Sequence, residues 1–276
     1  MTGRVLLGPS REWTGGDVFP HTSCVLAPNP SPWTLEGTNT WIVGTVTGGC
    51  LVVDPGPLEN GHLAAVEDRI ESRRSTVKGV LLTHGHVDHS AGAEEFARRH
   101  GVWVRAWDPR LARAASHRMN PEVLSDGEKI EVDGLDVRVV STPGHSSDSV
   151  SLVAADTVLT GDTVLGRGTT VIVHPDGRLA EYLDSLRSLS HLCEDEGIST
   201  LLPGHGPPIE DPKRVLDAYW EHRMTRLQEV RAAMKGGATT VSEIVDTVYA
   251  DVPQSIRAAA ESSVRAQVEY LEGSDV

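Results

Sequence analysis

The stretch LLTHGHVDHSAG, residues 81–92, constrains the fold more than any other part of the chain. Three histidines and one aspartate fall within the six positions 84–89, directly after an apolar run. In extended backbone alternate side chains share a face, so His84 and His86 point the same way. Gly85 between them removes a side chain and lets the loop bend. Asp88 and His89 follow at the start of the next helix and face a neighbouring position. Two sets of metal-seeking groups from one short loop suit two adjacent cations, but each cation is left short of donors. Any fold built on this run must bring the missing donors from elsewhere.

The rest of the chain offers them, each beside glycine at the end of an apolar strand. STPGHSSDS carries His145, LTGDT carries Asp162, and LLPGHGP carries His205. A coherent assignment places His84, His86 and His145 on one ion. Asp88, His89 and His205 take the other, and Asp162 bridges both. Five histidines and two aspartates favour two zinc ions, since zinc takes neutral imidazole and carboxylate. Iron or manganese can occupy the same donors.

Hydrophobic periodicity places these donors on an α/β framework. NTWIVGTV (39–46) and CLVVD (50–54) read as a hairpin across a Gly-Gly turn. A helix over 61–72 precedes a strand over 77–83, and SAGAEEFARRHG reads as a helix closed by Gly101. Further strands are expected at 102–107, 129–132, 135–141, 149–154 and 157–161, with a last one in 199–206. Leu179, Tyr182, Leu183, Leu186, Leu189 and Leu192 form a helical stripe that packs on a sheet. After residue 210 only helical patterns remain: one long helix stopped by Gly236 and Gly237, then two around Pro253. The expected division is therefore a catalytic domain over 1–210 and a helical module over 211–276.

Net charge is −14, from 39 acidic against 25 basic residues. Such a surface repels phosphate backbones at long range, which argues against avid nonspecific nucleic-acid binding. Bound divalent cations would reverse the sign locally, so a nuclease is not excluded. No window approaches the roughly 18 apolar residues of a membrane span, and the first residues lack a secretory signal pattern. The cysteines Cys24, Cys50 and Cys193 are scattered and odd in number, which implies no disulfide framework. A reducing cytoplasm is the expected location.

HxHxDH at 84–89 with His145, Asp162 and His205 resembles the metallo-β-lactamase superfamily over roughly residues 20–210. That resemblance implies an αββα sandwich with a dinuclear site at one edge of its two sheets. Asp54 in LVVDPG matches the superfamily's early-strand aspartate, which supports the metal-bearing loop without being a ligand. NPSPWTLEGTNTWIVG (29–44), GDTVLGRGTT (161–170) and the helical tail resemble, more narrowly, the beta-lactamase-like protein 2 group. That group includes an endoribonuclease acting on single-stranded RNA, and its members carry a C-terminal winged-helix-like module. Here the tail has no room for a β-hairpin wing, and Glu261 and Glu269 accompany Arg257 and Arg265 on the last helix. This favours a module that frames the cleft over one that reads a nucleic-acid groove.

The resemblance implies hydrolysis by a metal-held hydroxide, with Asp88 orienting it and passing a proton to the leaving group. Thr38 and Asn39 in the GTNT segment are candidate substrate contacts, and Arg167 in GRGT is a candidate anion contact. Two substrate classes follow: single-stranded RNA, or a small thioester or lactone as in glyoxalase II-like relatives. β-Lactamases that use a cysteine ligand are disfavoured, because Asp162 stands where that cysteine would. A flavodiiron role needs a fused flavin domain, and no such domain is visible. A non-catalytic scaffold of this fold should show a substituted ligand, and none is substituted.

Overall fold

The computed structural model describes residues 12–108, 110–111, 113–114, 123–251 and 253–274. Two sheets stack face to face. The first has the order β1 (Gly16–Phe19), β2 (Thr22–Leu26), β3 (Asn39–Gly44), β4 (Gly49–Val53), β5 (Thr76–Leu81), β6 (Trp103–Arg105) and β7 (Arg113–Ala114). The second runs β12 (Thr200–Pro203), β11 (Thr157–Gly161), β10 (Val150–Ala154), β9 (Leu135–Ser141) and β8 (Lys129–Val132). The β4–β5, β5–β6 and β11–β12 pairs are parallel, and the others are antiparallel.

Alternation along the strands builds the layers. In β3 and β4, Trp41, Val43, Leu51 and Val53 face the second sheet, where they meet Val137, Val139, Leu152 and Leu159. Their neighbours Ile42, Cys50 and Val52 face the opposite way, onto α1 (Asn60–Ser72) and α3 (Ala93–His100) through Leu63, Val66 and Phe96. In the second sheet Val153, Val158 and Leu201 face outward onto α4 (Leu179–Asp195). The result is the expected αββα sandwich.

Pro212 opens α5 (Pro212–Lys235), whose first turn is capped by the Asp211 side chain. A capping box of Thr240 and Glu243 starts α6 (Val241–Val248). A 3-10 turn (Gln254–Ile256) leads into α7 (Arg257–Ser274). No strand occurs past residue 211 among the described residues. Val264 and Leu271 of α7 and Val230 of α5 lie in the same apolar cluster as Leu186 of α4. The helical tail therefore shares its core with the outer face of the second sheet. No helix among the described residues is long and apolar enough to cross a membrane.

The strands β1, β2 and β7 were not expected from the sequence. β2 is a short TSCVL run between Pro20 and Pro28, and only its pairing with β3 identifies it. The first eleven residues, including part of the segment lacking a signal pattern, lie outside the described residues.

Candidate metal centre

All seven expected donors converge at one edge of the sandwich. His84 and His86 leave the end of β5, and Asp88 and His89 lie on a single turn, α2 (Val87–Ser90). Asp162 follows β11, His205 follows β12, and His145 sits on the β9–β10 connection. His86 Nδ1 lies 3.0 Å from His84 Nε2 and 3.0 Å from His145 Nε2. Across the cluster, His89 Nε2 and His205 Nε2 are 3.2 Å apart, and Asp88 Oδ2 is 3.4 Å and 3.3 Å from them. Asp162 reaches both sets: Oδ1 is 3.5 Å from His89, and Oδ2 is 3.3 Å from His205 and 3.8 Å from His145.

Hydrogen bonds on the far side of four rings decide which nitrogen faces the centre. His145 Nδ1 meets the Val171 carbonyl at 2.7 Å, and His205 Nδ1 meets the Gly37 carbonyl at 3.1 Å. A carbonyl only accepts, so both Nδ1 atoms carry a proton and both Nε2 atoms are the ones that face the centre. Asp54 does the same for the other two rings. Its Oδ2 accepts from His89 Nδ1 at 2.9 Å and from Thr83 Oγ1 at 2.6 Å, while Oδ1 accepts from the Thr83 amide at 2.8 Å. With its proton committed to Asp54, the Thr83 hydroxyl accepts from His84 Nδ1 at 3.0 Å. Asp54 holds this position with φ of 51°, a conformation rare outside glycine and common where geometry serves a site. Carboxylate- and carbonyl-anchored imidazoles of this kind are the usual surroundings of a metal.

Electrostatics agree with the donor chemistry. Burial and the neighbouring histidines hold His84 well below its ordinary pKa, and burial, only partly offset by Asp162, lowers His145 to about 4. Both stay neutral, the form that binds a cation. Burial would raise the Asp162 carboxyl, yet His205 and His89 hold it well below the usual range. Burial likewise opposes ionisation of Asp88, but the His205 hydrogen bond and His89 bring it down to about 2. In return, and against burial, Asp162 and Asp88 push His205 up to about 10. The carboxylates thus demand positive charge between them, which a divalent cation supplies in place of protons. Asp162 Oδ1 is buried with no hydrogen-bond partner, as an oxygen reserved for a cation would be. The residues fit a dinuclear metal group.

Glycine shapes the centre at one point in particular. A Cβ on Gly204 would fall 2.5 Å from Asp162 Oδ1 and 2.7 Å from His89 Cε1, so no side chain fits there.

The three expected substrate contacts are placed differently from one another. Asn39 is fully buried, and its amide donates to the Pro203 and Gly206 carbonyls at 2.9 Å and 2.8 Å. Its Oδ1 accepts from Trp13 Nε1 at 2.7 Å, so Asn39 ties the His205 loop to β3 and has no atom turned to the cleft. Thr38 is also fully buried; its hydroxyl donates to Asp88 Oδ2 at 3.4 Å from behind the donor cluster. Arg167 does line the cleft, but its guanidinium is paired with Glu36. The expectation of direct contacts at Thr38 and Asn39 is corrected accordingly: both support the site from within.

Sequence reading singled out Arg167 but missed what anchors its loop, residues 165–173. Tyr219 of α5 binds both main-chain groups of Leu165 through its hydroxyl, at 2.9 Å and 3.2 Å. Buried Arg223 of the same helix donates to the Thr170 carbonyl, and Ser262 of α7 donates to the Ile172 carbonyl at 3.0 Å. These partners lie 53 to 90 positions apart, and no local pattern announces them.

A cavity of about 350 Å³ opens directly onto His86, Asp88, His145, Asp162 and His205. Its other walls are mostly apolar, from Trp33 and Leu35 on one loop, Leu165, Val171 and Val173 on another, and Ile256 and Ala259 of the helical tail.

Residues 33–205 match the metallo-beta-lactamase superfamily, and residues 240–273 match the beta-lactamase associated winged helix domain. The chain is 30% identical over 256 residues to a beta-lactamase-like protein 2 homolog of Caenorhabditis elegans, covering 90% of this chain and 82% of that one. It is also 30% identical over 256 residues to an atrochrysone carboxyl ACP thioesterase of Aspergillus fumigatus, covering 86% of this chain and 76% of the relative. A metallo-beta-lactamase family protein from Thermus thermophilus shares the fold with a TM-score of 0.76 at 24% identity, over 94% of this chain and 95% of that one. A beta-lactamase domain protein from Burkholderia ambifaria gives 0.78 at 22% identity, over 97% and 92%. With its sandwich and its tail both matched, the chain belongs to the metallo-beta-lactamase superfamily of metal-dependent hydrolases.

Proposed function

We propose that the protein hydrolyses a thioester with an apolar acyl group, and that the seven converging residues hold two zinc ions. The observation that carries this reading is the cavity itself. It joins the donor cluster to apolar walls, and Arg167, the one Lys or Arg among its described lining residues, is neutralised by Glu36. An acyl chain gains from leaving water against such walls. A relative named as a thioesterase, similar over 86% of this chain, supports the same reaction class.

His84, His86 and His145 would hold one ion, Asp88, His89 and His205 the other, and Asp162 both. A bound pair supplies a water of lowered pKa and a Lewis-acid contact for the carbonyl oxygen. The chain's own groups do the rest. Asp88, with its side chain 32% exposed at the cleft and its carboxyl held ionised, orients the attacking water and takes its proton. As the water oxygen bonds to the carbonyl carbon and the C–S bond breaks, that proton passes to the leaving sulfur. The products are a thiol and a carboxylic acid, which releases the second water proton to solvent and leaves as the carboxylate. Thr38 fixes Asp88 for this by its hydrogen bond from behind.

Single-stranded RNA is the second reading. Trp33, 46% exposed at the cavity, offers a stacking face for a base. Against it stand the net charge of −14 and a cleft whose one arginine is already paired. The test is to give zinc-loaded protein octanoyl-N-acetylcysteamine and an end-labelled single-stranded RNA in parallel, beside Asp162→Ala. Thioester cleavage lost in the variant supports the proposal. RNA cleavage lost in the variant, with the thioester untouched, replaces it by the endoribonuclease reading.

A further inference from the structure

The geometry points to the C-terminal helical module as the part that selects the acyl group, through Ile256 and Ala259. This inference rests on the thioester reading above and deepens it by assigning specificity to residues outside the catalytic sandwich.

Most of the cavity wall comes from the sandwich: the loop carrying Trp33 and Leu35, the metal ligands, and the loop 165–173. Ile256 closes the 3-10 turn before α7, and Ala259 lies on the first turn of α7. Both line the cavity, and both side chains are apolar, with no hydrogen-bonding group. Neither side chain can bind a phosphate or a metal, so what the two side chains offer a substrate is contact area and shape.

The wall they form is fixed in place. Ser262, one turn further along α7, donates to the Ile172 carbonyl at 3.0 Å and accepts from the His174 amide at 3.0 Å. His174 Nε2 reaches Glu269 of α7 at 3.0 Å. Behind them Ala260 and Val264 are buried in the cluster shared with α4 and α5. The helix is thus fastened to the loop that forms another part of the same cavity wall. A change of side-chain volume at Ala259 or Ile256 cannot be absorbed by sliding α7, and it must change the space left for the acyl chain.

Two substitutions should act in opposite directions. Ala259→Phe fills the cavity, and Ile256→Ala enlarges it. The experiment measures kcat/KM of each zinc-loaded protein on butyryl- and decanoyl-N-acetylcysteamine and reads the decanoyl-to-butyryl ratio. We expect the ratio to fall by about tenfold or more in Ala259→Phe and to rise in Ile256→Ala, since a methylene in an apolar pocket changes discrimination by about tenfold or more. Using a ratio removes any loss from partial misfolding, which affects both substrates alike. A ratio unchanged in both variants, with wild type active, overturns the assignment of specificity while leaving the thioesterase reading standing. A wild type inert toward both thioesters overturns that reading and this inference with it.

Discussion

Arg223 Nη2 donates to the main-chain oxygen of Thr170 at 2.6 Å, joining α5 to the loop that orients a metal-facing histidine. The Thr170 hydroxyl lies 3.1 Å from His145 Nδ1, and the next carbonyl, Val171, accepts from that nitrogen at 2.7 Å. Arg223 is 3% exposed and lies over the Tyr182 ring, 4.9 Å from its centroid. A buried guanidinium spent on one carbonyl is costly unless the carbonyl's position matters. Arg223→Met is therefore expected to weaken zinc binding by about tenfold to a hundredfold, the usual effect of removing a group that orients a ligand. Arg223→Lys should recover part of it. Chelator competition measures this directly, and unchanged affinity in the Met variant would show that the brace does not reach His145.

Asn39 links both sheets without touching the cleft. Asn39→Ala leaves the Gly206 carbonyl and the Trp13 indole N–H without their partner, and the Pro203 carbonyl with the Trp41 indole N–H alone. A loss of about 3 kcal/mol in urea unfolding is expected, from buried polar groups left unpaired. KM of the folded fraction should stay near wild type. A raised KM with normal stability would restore Asn39 as a substrate contact.

His62 makes stability depend on pH. Burial lowers its pKa to about 4, and its Nε2 sits 2.9 Å from the Thr40 hydroxyl, which donates to the Asp54 carbonyl at 2.8 Å. The folded pKa lies below the unfolded value of about 6.5, so the unfolded chain binds the proton first. The contribution is full above about 6.5 and is lost as pH falls through about 4, amounting to up to about 3 kcal/mol. Urea unfolding of metal-free wild type and His62→Gln across that window should show a shallower fall for the variant. Parallel curves would show that His62 carries no such dependence.

The convergence of the seven donor residues was legible because each stands in a local pattern, an apolar strand leading to glycine, that needs no knowledge of its partners. Asp54 was legible only by likeness, since nothing in LVVDPG announces bonds to Thr83 and His89. The misreading of Thr38 and Asn39 has a physical origin: a polar turn beside an active site looks the same whether its amides face solvent or carbonyls 164 to 167 residues away. Sequence separation also hid Arg223, whose partner lies 53 positions away on a loop with no periodicity. β2 escaped because its five-residue run is too short for alternation to show.

Asp162 is the residue on which a two-ion centre turns, because its carboxylate oxygens reach histidines of both donor sets. The decisive measurement is the zinc content of exhaustively dialysed wild type and Asp162→Ala, by elemental analysis, with circular dichroism of both. Two zinc ions per wild-type chain, fewer in the variant, and the same fold in each are the predicted result. A single ion in wild type, or two retained in Asp162→Ala, would contradict it.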